Sequence, residues 1–115
     1  MLDGKYTVPE YLSEAINNLP AVAHPYISPD ESYIIVDAQI KGRAKPRLFI
    51  SFNKNGSWSK PIDLGSEINL TDTEFAASVS PDGEYLFFHR TTNGNGDIYW
   101  VSAKIIEELK KSGNN

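Results

Sequence analysis

Two aspartates occupy the same place in a repeated Ser-Pro-Asp sequence, and carboxylates at such positions could act as acids, bases or metal ligands. Asp30 lies in the stretch SPDESY (28–33), and Asp82 lies in SPDGEY (80–85). In a turn of this composition, proline fixes φ and the aspartate side chain accepts hydrogen bonds from the backbone that follows. We therefore predict that both aspartates cap turns and take no part in catalysis.

The two histidines, His24 and His89, are the other side chains that could bind a metal or move a proton. A metal site needs several converging ligands, and the spacing around these histidines does not supply them. The chain has no cysteine, which excludes a disulfide, a thiolate ligand and a cysteine nucleophile. It also contains neither a G-x-S-x-G nucleophile motif nor a glycine-rich phosphate loop. The sequence therefore predicts no catalytic residue, no metal and no cofactor.

Length and charge limit the classes of function further. The 115 residues carry a net charge of −4, and 40% of them are hydrophobic, which is typical of one globular domain. The acidic balance disfavours a nucleic-acid surface, which needs a basic patch. No apolar run approaches the roughly 20 residues that span a membrane, and the N-terminal stretch lacks the pattern of a signal peptide. We accordingly expect no nucleic-acid partner and no membrane span.

Two groups of side chains could bind ligands by charge or by stacking. A weak basic cluster could hold an anionic group, although a solvated loop is its expected role; it consists of Lys41, Arg43, Lys45 and Arg47. Four aromatic residues could stack on sugars, and these are Phe52, Trp58, Tyr99 and Trp100. Their strand positions predict instead a place in the core.

An internal repeat relates the two Ser-Pro-Asp turns to each other. Shifting the sequence by 52 residues aligns residues 3–36 with residues 55–88 without a gap, and nine of the 34 pairs are identical. The identities fall on turn residues and on apolar positions, where a common structure requires them. The identical pairs are Gly4/Gly56, Pro9/Pro61, Leu12/Leu64, Ile16/Ile68, Asn17/Asn69, Ser28/Ser80, Pro29/Pro81, Asp30/Asp82 and Tyr33/Tyr85. The sequence thus predicts two copies of one structural unit.

Each copy is predicted to form short strands separated by turns. The second strand of each copy is apolar without alternation, which indicates burial on both faces. Asn55-Gly56 favours a tight hairpin turn before the fourth strand, and Pro61 within that strand places it at a sheet edge. The predicted strands are 23–28, 33–38, 47–53 and 57–64 in the first copy and 75–80, 85–90 and 97–103 in the second, with a hairpin loop over 91–97.

The two ends of the chain complement each other in this scheme. Residues 5–12 correspond to the fourth strand, 57–64, but have no partner strands of their own before them. The strand over 97–103 has no fourth strand after it, and the amphipathic residues 103–111 predict a helix instead. We therefore predict a homo-oligomer in which residues 5–12 of one chain complete the 74–103 unit of the next.

Three stretches of the sequence resemble the WD-like β-propeller repeats of the TolB type: HPYISPDESYIIVDA (24–38), SPDGEYLFF (80–88) and DIYWVS (97–102). The resemblance covers nearly the whole chain and implies an all-β fold of two four-stranded blades, over 22–65 and 74–103. Propellers of this family usually have six or more blades. Two blades could therefore belong to a fragment, close as a two-sheet sandwich, or join in a ring. We favour a ring of three chains, because a head-to-tail contact that closes makes a cyclic oligomer.

For function, the resemblance implies a non-catalytic binding or scaffolding module whose ligand, a protein or a glycan, docks at the mouth of the central channel. The residues predicted to contact this ligand are His24, Tyr26, Asp37, Arg43, Arg47, His89 and Arg90. The alternatives are an enzyme that acts on carbohydrate or peptide, and a terminal piece of a larger propeller with no function of its own. The family resemblance also suggests a periplasmic or exported protein.

Overall fold

The computed structural model describes residues 8–10, 12–39, 45–69 and 73–112. This part of the chain is mostly β-structure and forms two antiparallel sheets followed by a short helix, which confirms the coarse architecture predicted from the sequence. The elements in chain order are α1 (Glu14–Asn17), β1 (Ala23–Ile27), β2 (Tyr33–Ala38), β3 (Arg47–Lys54), β4 (Ser57–Trp58), β5 (Ile62–Asp63), β6 (Thr73–Val79), β7 (Tyr85–Thr92), β8 (Asn95–Ser102) and α2 (Lys104–Ser112).

The first sheet has the order β1-β2-β3, and both β4 and β5 pair with the other side of β3. The continuous strand predicted over 57–64 is thus divided into two short strands, because Pro61 lies between them and has no N–H to donate. Asn55 and Gly56 connect β3 to β4 with φ values of 54° and 88°. These are the positive values that a type I′ hairpin turn requires.

The second sheet has the order β6-β7-β8. A two-residue turn at Asn93 and Gly94, with φ values of 51° and 80°, joins β7 to β8. The loop predicted over 91–97 is therefore mostly strand, because the β-branched residues before the turn extend β7. Among the described residues no fourth strand pairs with β8, so β8 is an edge of this sheet.

Both sheets begin with a strand that is interrupted at the same repeat position. The pairing of β1 with β2 and that of β6 with β7 each shift by a bulge. His24 and Ala76, which the 52-residue repeat aligns, adopt φ values of 47° and 53° at these bulges. A non-glycine residue with positive φ is uncommon, so the matching bulges support the repeat derived from the sequence.

The main core lies between the two sheets. Leu48 and Ile50 of β3 and Leu86 and Phe88 of β7 are all at most 2% exposed. Ile68, in the segment that connects the sheets, is buried among them, and α2 packs against the same cluster. Each fully buried side chain of this size stabilises the fold by about 1.5–3 kcal/mol, so this contact fixes the two sheets relative to each other.

The other face of the first sheet carries a second apolar cluster, which includes Ile34 and Val36. Ile16 of α1 covers this cluster and is 2% exposed. Ser13 caps α1, because its Oγ accepts a hydrogen bond from the N–H of Ala15 at 3.1 Å. In the described part of the chain, α1 and its neighbouring residues cover this face, and no second sheet does.

The helix predicted over 103–111 lies at Lys104–Ser112. Ile106 is buried against the core, and Lys110 and Lys111 lie at the C-terminal end, where positive charge is favourable. Within the described ranges, neither helix has the length and apolar character needed to cross a bilayer.

Part of the predicted N-terminal strand falls outside the described residues. Of residues 5–12, residues 5–7 and 11 lie outside, and residues 8–10 and 12 are neither strand nor helix. Lys41 and Arg43 of the predicted basic cluster also lie outside the described residues.

Candidate functional site

Three of the predicted ligand residues lie where β1 and β2 of the first sheet contact the second sheet. Nδ1 of His24 lies 3.0 Å from Oδ2 of Asp37, and the same oxygen accepts a hydrogen bond from the N–H of Ala76 at 2.9 Å. The Asp37 side chain is 4% exposed, whereas that of His24 is 57% exposed. Asp37 therefore ties the two sheets together and holds His24 at the surface.

Phe75 joins His89 to this group. Its ring centroid lies 5.0 Å from that of His89, with 24° between the ring planes, and 6.0 Å from that of His24. We call His24, Asp37, Phe75 and His89 the seam site. Both histidines thus lie on one aromatic cluster, which their spacing in the sequence did not indicate. The sequence does not identify Phe75, because its contact with both histidines depends on tertiary packing.

The seam site can bind polar groups through a fixed imidazole. Because Asp37 holds Nδ1 of His24, Nε2 is the ring nitrogen that is left to bond with a ligand. An imidazole oriented by a carboxylate can also act as a general base, but no other side chain in the described ranges hydrogen-bonds to His24. Within the same ranges, no three His, Cys, Asp or Glu side chains converge as metal ligands. The arrangement supports ligand contact more directly than catalysis.

Arg90 points into the interior, although the sequence analysis placed it near a ligand. Its Nε donates to Oε2 of Glu74 at 3.1 Å, and its Nη2 donates to the carbonyl of Ile68 at 2.8 Å. Its guanidinium carbon lies 4.6 Å from the centroid of the Tyr99 ring. The side chains of Arg90 and Glu74 are 10% and 0% exposed. Because Glu74 lies opposite Arg90 in the pairing of β6 with β7, the charge is satisfied inside the protein.

Two further predicted ligand residues, Arg47 and Tyr26, have other partners. Arg47 pairs with Asp63, with 3.4 Å between Nη2 and Oδ2. Tyr26 packs against the main core, and Arg43 lies outside the described residues. Of the seven predicted ligand residues, the structure therefore brings together His24, Asp37 and His89.

The two Ser-Pro-Asp turns have the capping aspartates that the sequence predicts. Oδ1 of Asp30 accepts hydrogen bonds from Oγ of Ser32 at 2.7 Å and from Oγ of Ser28 at 2.8 Å, and Asp82 accepts one from Oγ of Ser80. These hydrogen bonds lower the pKa of Asp30 from 3.8 to about 2, with the Ser32 hydroxyl as the largest cause and the Ser28 hydroxyl as the second. The Ser80 hydroxyl likewise lowers the pKa of Asp82.

Acid should weaken the first of these turns in a defined pH window. The pKa of Asp30 is about 2 in the folded chain against an ordinary value of 3.8. Its charged form therefore stabilises the fold fully above about pH 4, and this stabilisation is lost as the pH falls towards 2. An NMR titration of the Asp30 carboxyl carbon should show the low midpoint. A Ser32→Ala variant should move the midpoint upwards, and an unchanged midpoint in this variant would contradict the assigned cause.

β8 presents an apolar face on which no further sheet or helix of the described chain packs; the ring of Tyr85 contacts Trp100 there, at 5.3 Å between centroids. Ile98 and Trp100 are 67% and 62% exposed. The strand registers of the two sheets align Ile98 with Leu48 and Trp100 with Ile50, and both of these counterparts are 0% exposed. The prediction that Trp100 lies in the core is therefore wrong for the single chain. No second sheet packs on this side of β8 within the described ranges. We call Ile98, Trp100 and the outer edge of β8 the open face.

A groove lies on the outer face of the first sheet and has a volume of about 520 Å³. Its apolar lining consists mainly of Pro9, Leu12, Ile16, Val22, Ile34 and Val36, and we call these six residues the groove. Leu12 is 43% exposed. Ile16, Ile34 and Val36 are at most 4% exposed, so they form the covered floor of the groove, and Leu12 forms its exposed rim. The groove lies at the opposite end of the described chain from the open face.

A wider cavity of about 750 Å³ lies between the two Ser-Pro-Asp turns and α2. Its lining includes Asp30, Glu107 and Lys110, so that charges of both signs surround it. Tyr33 also lines this cavity. Its pKa is raised to about 12, mainly because the side chain is partly buried. This cavity contains none of the predicted ligand residues, and its mixed charge favours neither an anionic nor a cationic ligand.

No model of a known protein family matches the chain, and no curated protein matches it. The seam site, the open face and the groove are therefore interpreted from their own geometry. Two features of the chain bear on its function: the internal repeat, and the different exposure of equivalent residues in the two sheets.

Proposed function

We propose that this chain is a non-catalytic binding module of the β-propeller type that completes its propeller by joining copies head to tail. One observation carries the proposal: Leu48 and Ile50 are buried between two sheets, whereas Ile98 and Trp100, at the equivalent positions, are exposed. Apolar surface gains about 25 cal/mol per Å² when it is removed from water, and exposed apolar patches are typical of interfaces. The open face is therefore best explained as one side of an interface.

The internal repeat supplies the partner for this face. Residues 57–64 provide the two short strands that pair with the outer side of β3, and residues 5–12 are their counterparts in the repeat. We infer that residues 5–12 of one copy occupy the outer edge of β8 in the next copy. The same contact repeated around an axis closes a ring, and three copies with two sheets each would give six sheets.

The seam site is the proposed ligand surface of this module. His24 offers Nε2 for a hydrogen bond, and Phe75 and His89 offer partly exposed aromatic rings. A protein segment or a glycan has both polar groups and flat apolar surface to match them. Each copy in a ring would carry one such site, so that several sites could bind one ligand together.

Hydrogen exchange at two equivalent amides tests the assembly. The N–H of Leu48 donates to Asn69 of its own chain at 2.9 Å, and it should be protected at every protein concentration. The N–H of Ile98, at the aligned position, should be protected only at concentrations at which copies associate. Rapid exchange of the Ile98 amide at all concentrations up to the millimolar range would contradict the proposal.

A further inference from the structure

We propose that the open face of one copy docks into the groove of the next copy, with Trp100 inside the groove and Asn17 bound to the backbone of Ile98. This inference rests on the proposed head-to-tail assembly and names the residues that make its contact. It follows from an arrangement that the chain already contains once, between its own two sheets.

The arrangement within the chain is centred on Asn69. Its Oδ1 accepts a hydrogen bond from the N–H of Leu48 at 2.9 Å, and its Nδ2 donates to the carbonyl of Leu48 at 2.9 Å. The N–H of Leu64 donates to the same carbonyl at 3.1 Å. Asn69 is 6% exposed. These three bonds hold the segment that connects the sheets on the outer edge of β3.

Asn17 has the same local structure as Asn69 but lacks this partner. The N–H of Asn17 donates to the carbonyl of Ser13 at 2.8 Å, and the N–H of Asn69 donates to that of Gly65 at 2.8 Å. The preceding residues of the two segments, Ile16 and Ile68, are both buried. The Asn17 side chain is exposed, and within the described ranges it forms no hydrogen bond. The Asn17 side chain can therefore bind the edge strand of a second copy in the way that Asn69 binds the edge of β3.

Ile98 is the backbone position that matches this side chain. In the first sheet Asp37 lies opposite Leu48, and in the second sheet His89, the repeat counterpart of Asp37, lies opposite Ile98. The N–H and carbonyl of Ile98 therefore point to the outer edge of β8, as those of Leu48 point to the outer edge of β3. This edge has no partner strand within the described residues.

The groove matches the side chains of the open face. Leu48 and Ile50 belong to one buried cluster with Leu64, Ile68, Leu86 and Phe88. The repeat counterparts of these last four are Leu12, Ile16, Ile34 and Val36, and all four line the groove. The surface that would receive Ile98 and Trp100 is thus already formed on the first sheet.

The sizes of the side chains compensate each other across the proposed contact. Trp100 is larger than Ile50, its counterpart within the chain, whereas Val36 is smaller than its counterpart, Phe88. Cores accept such exchanges when the total volume is kept. A second copy of this chain therefore fits the groove through the same set of contacts that joins the two sheets.

Two variants that block different surfaces test the docking. Trp100→Lys places a charge on the open face, and Leu12→Asp places one on the groove. The two residues are 62% and 43% exposed, so each variant should keep the circular dichroism spectrum of the wild type. Each variant alone should be monomeric. A mixture of the two should form a dimer of one copy of each, because one intact groove and one intact open face remain. A mixture that stays monomeric would overturn the proposal.

Asn17→Ala tests the contact with the Ile98 backbone. Two lost hydrogen bonds should weaken association about tenfold to thirtyfold in sedimentation equilibrium. Asn18→Ala is the matched control, because its repeat counterpart is Leu70 and it should leave the affinity unchanged. A wild-type chain that is monomeric throughout would contradict the proposed function itself. Association of the wild type that neither Trp100→Lys nor Asn17→Ala weakens would contradict only the contact assigned here.

Discussion

An Arg90→Ala variant is expected to lose about 3–5 kcal/mol of unfolding free energy, the usual cost of removing one partner from a buried ion pair. Nε of Arg90 lies 3.1 Å from Oε2 of the fully buried Glu74. Its Nη2 also donates to the carbonyls of Glu67 and Ile68 at 3.3 and 2.8 Å. The substitution removes these contacts together, at a site where the side chain is only 10% exposed.

Urea titrations at one protein concentration measure this effect. Arg47→Ala is the comparison variant. Arg47 pairs with Asp63, with side chains 21% and 37% exposed, and donates to the carbonyl of Asn69 at 3.2 Å, so its loss should cost less than loss of Arg90, whose partner is fully buried. A double variant, Glu74→Leu with Arg90→Met, should regain much of the stability, since an apolar pair needs no counter-charge. Equal losses in Arg90→Ala and Arg47→Ala would contradict the larger cost assigned to breaking the buried pair.

Removal of residues 1–12 is expected to abolish assembly and to lower the melting temperature at concentrations where the intact chain associates. The proposed reason is that residues 5–12 form the outer strand on β8 of a neighbouring copy. Leu12, which lines the groove, would be lost with them. Size-exclusion chromatography with light scattering should then give the mass of one chain.

A shorter deletion separates this role from a general effect of truncation. Removing only residues 1–4 leaves the predicted strand over 5–12 intact and should leave the oligomer intact. If the chain without residues 1–12 keeps the mass and the melting temperature of the intact protein, the proposed strand exchange is wrong.

The internal repeat allowed much of the fold to be predicted. Proline, aspartate and asparagine at repeated positions marked the turns, and apolar runs marked the strands, because these residues have strong local preferences. Pro61 predicts that the strand over 57–64 lies at a sheet edge, but it does not predict the division of this strand into β4 and β5. The bulges at His24 and Ala76 could not be foreseen, because alanine rarely adopts the positive φ observed there and histidine, although enriched at such angles, adopts them in only a small fraction of cases.

The candidate site was harder to predict, because burial depends on what covers a residue. Trp100 belongs to an apolar strand, but the sequence does not say whether a second sheet lies over that strand. The sequence places Arg90 near a ligand because it ends the predicted strand over 85–90. The register of the β6–β7 hairpin, which sets Glu74 opposite Arg90, was the signal that could have identified a buried ion pair. His24 and Asp37 were both proposed, but only tertiary packing brings them to 3.0 Å.

The mass of the intact chain in solution tests the central claim most directly. Light scattering across a hundredfold range of concentration should show an oligomer that dissociates on dilution, with a limiting mass of three times the 12.8 kDa of one chain. A mass of 12.8 kDa at every concentration up to the millimolar range would contradict the claim, because the open face would then remain exposed to water without a partner.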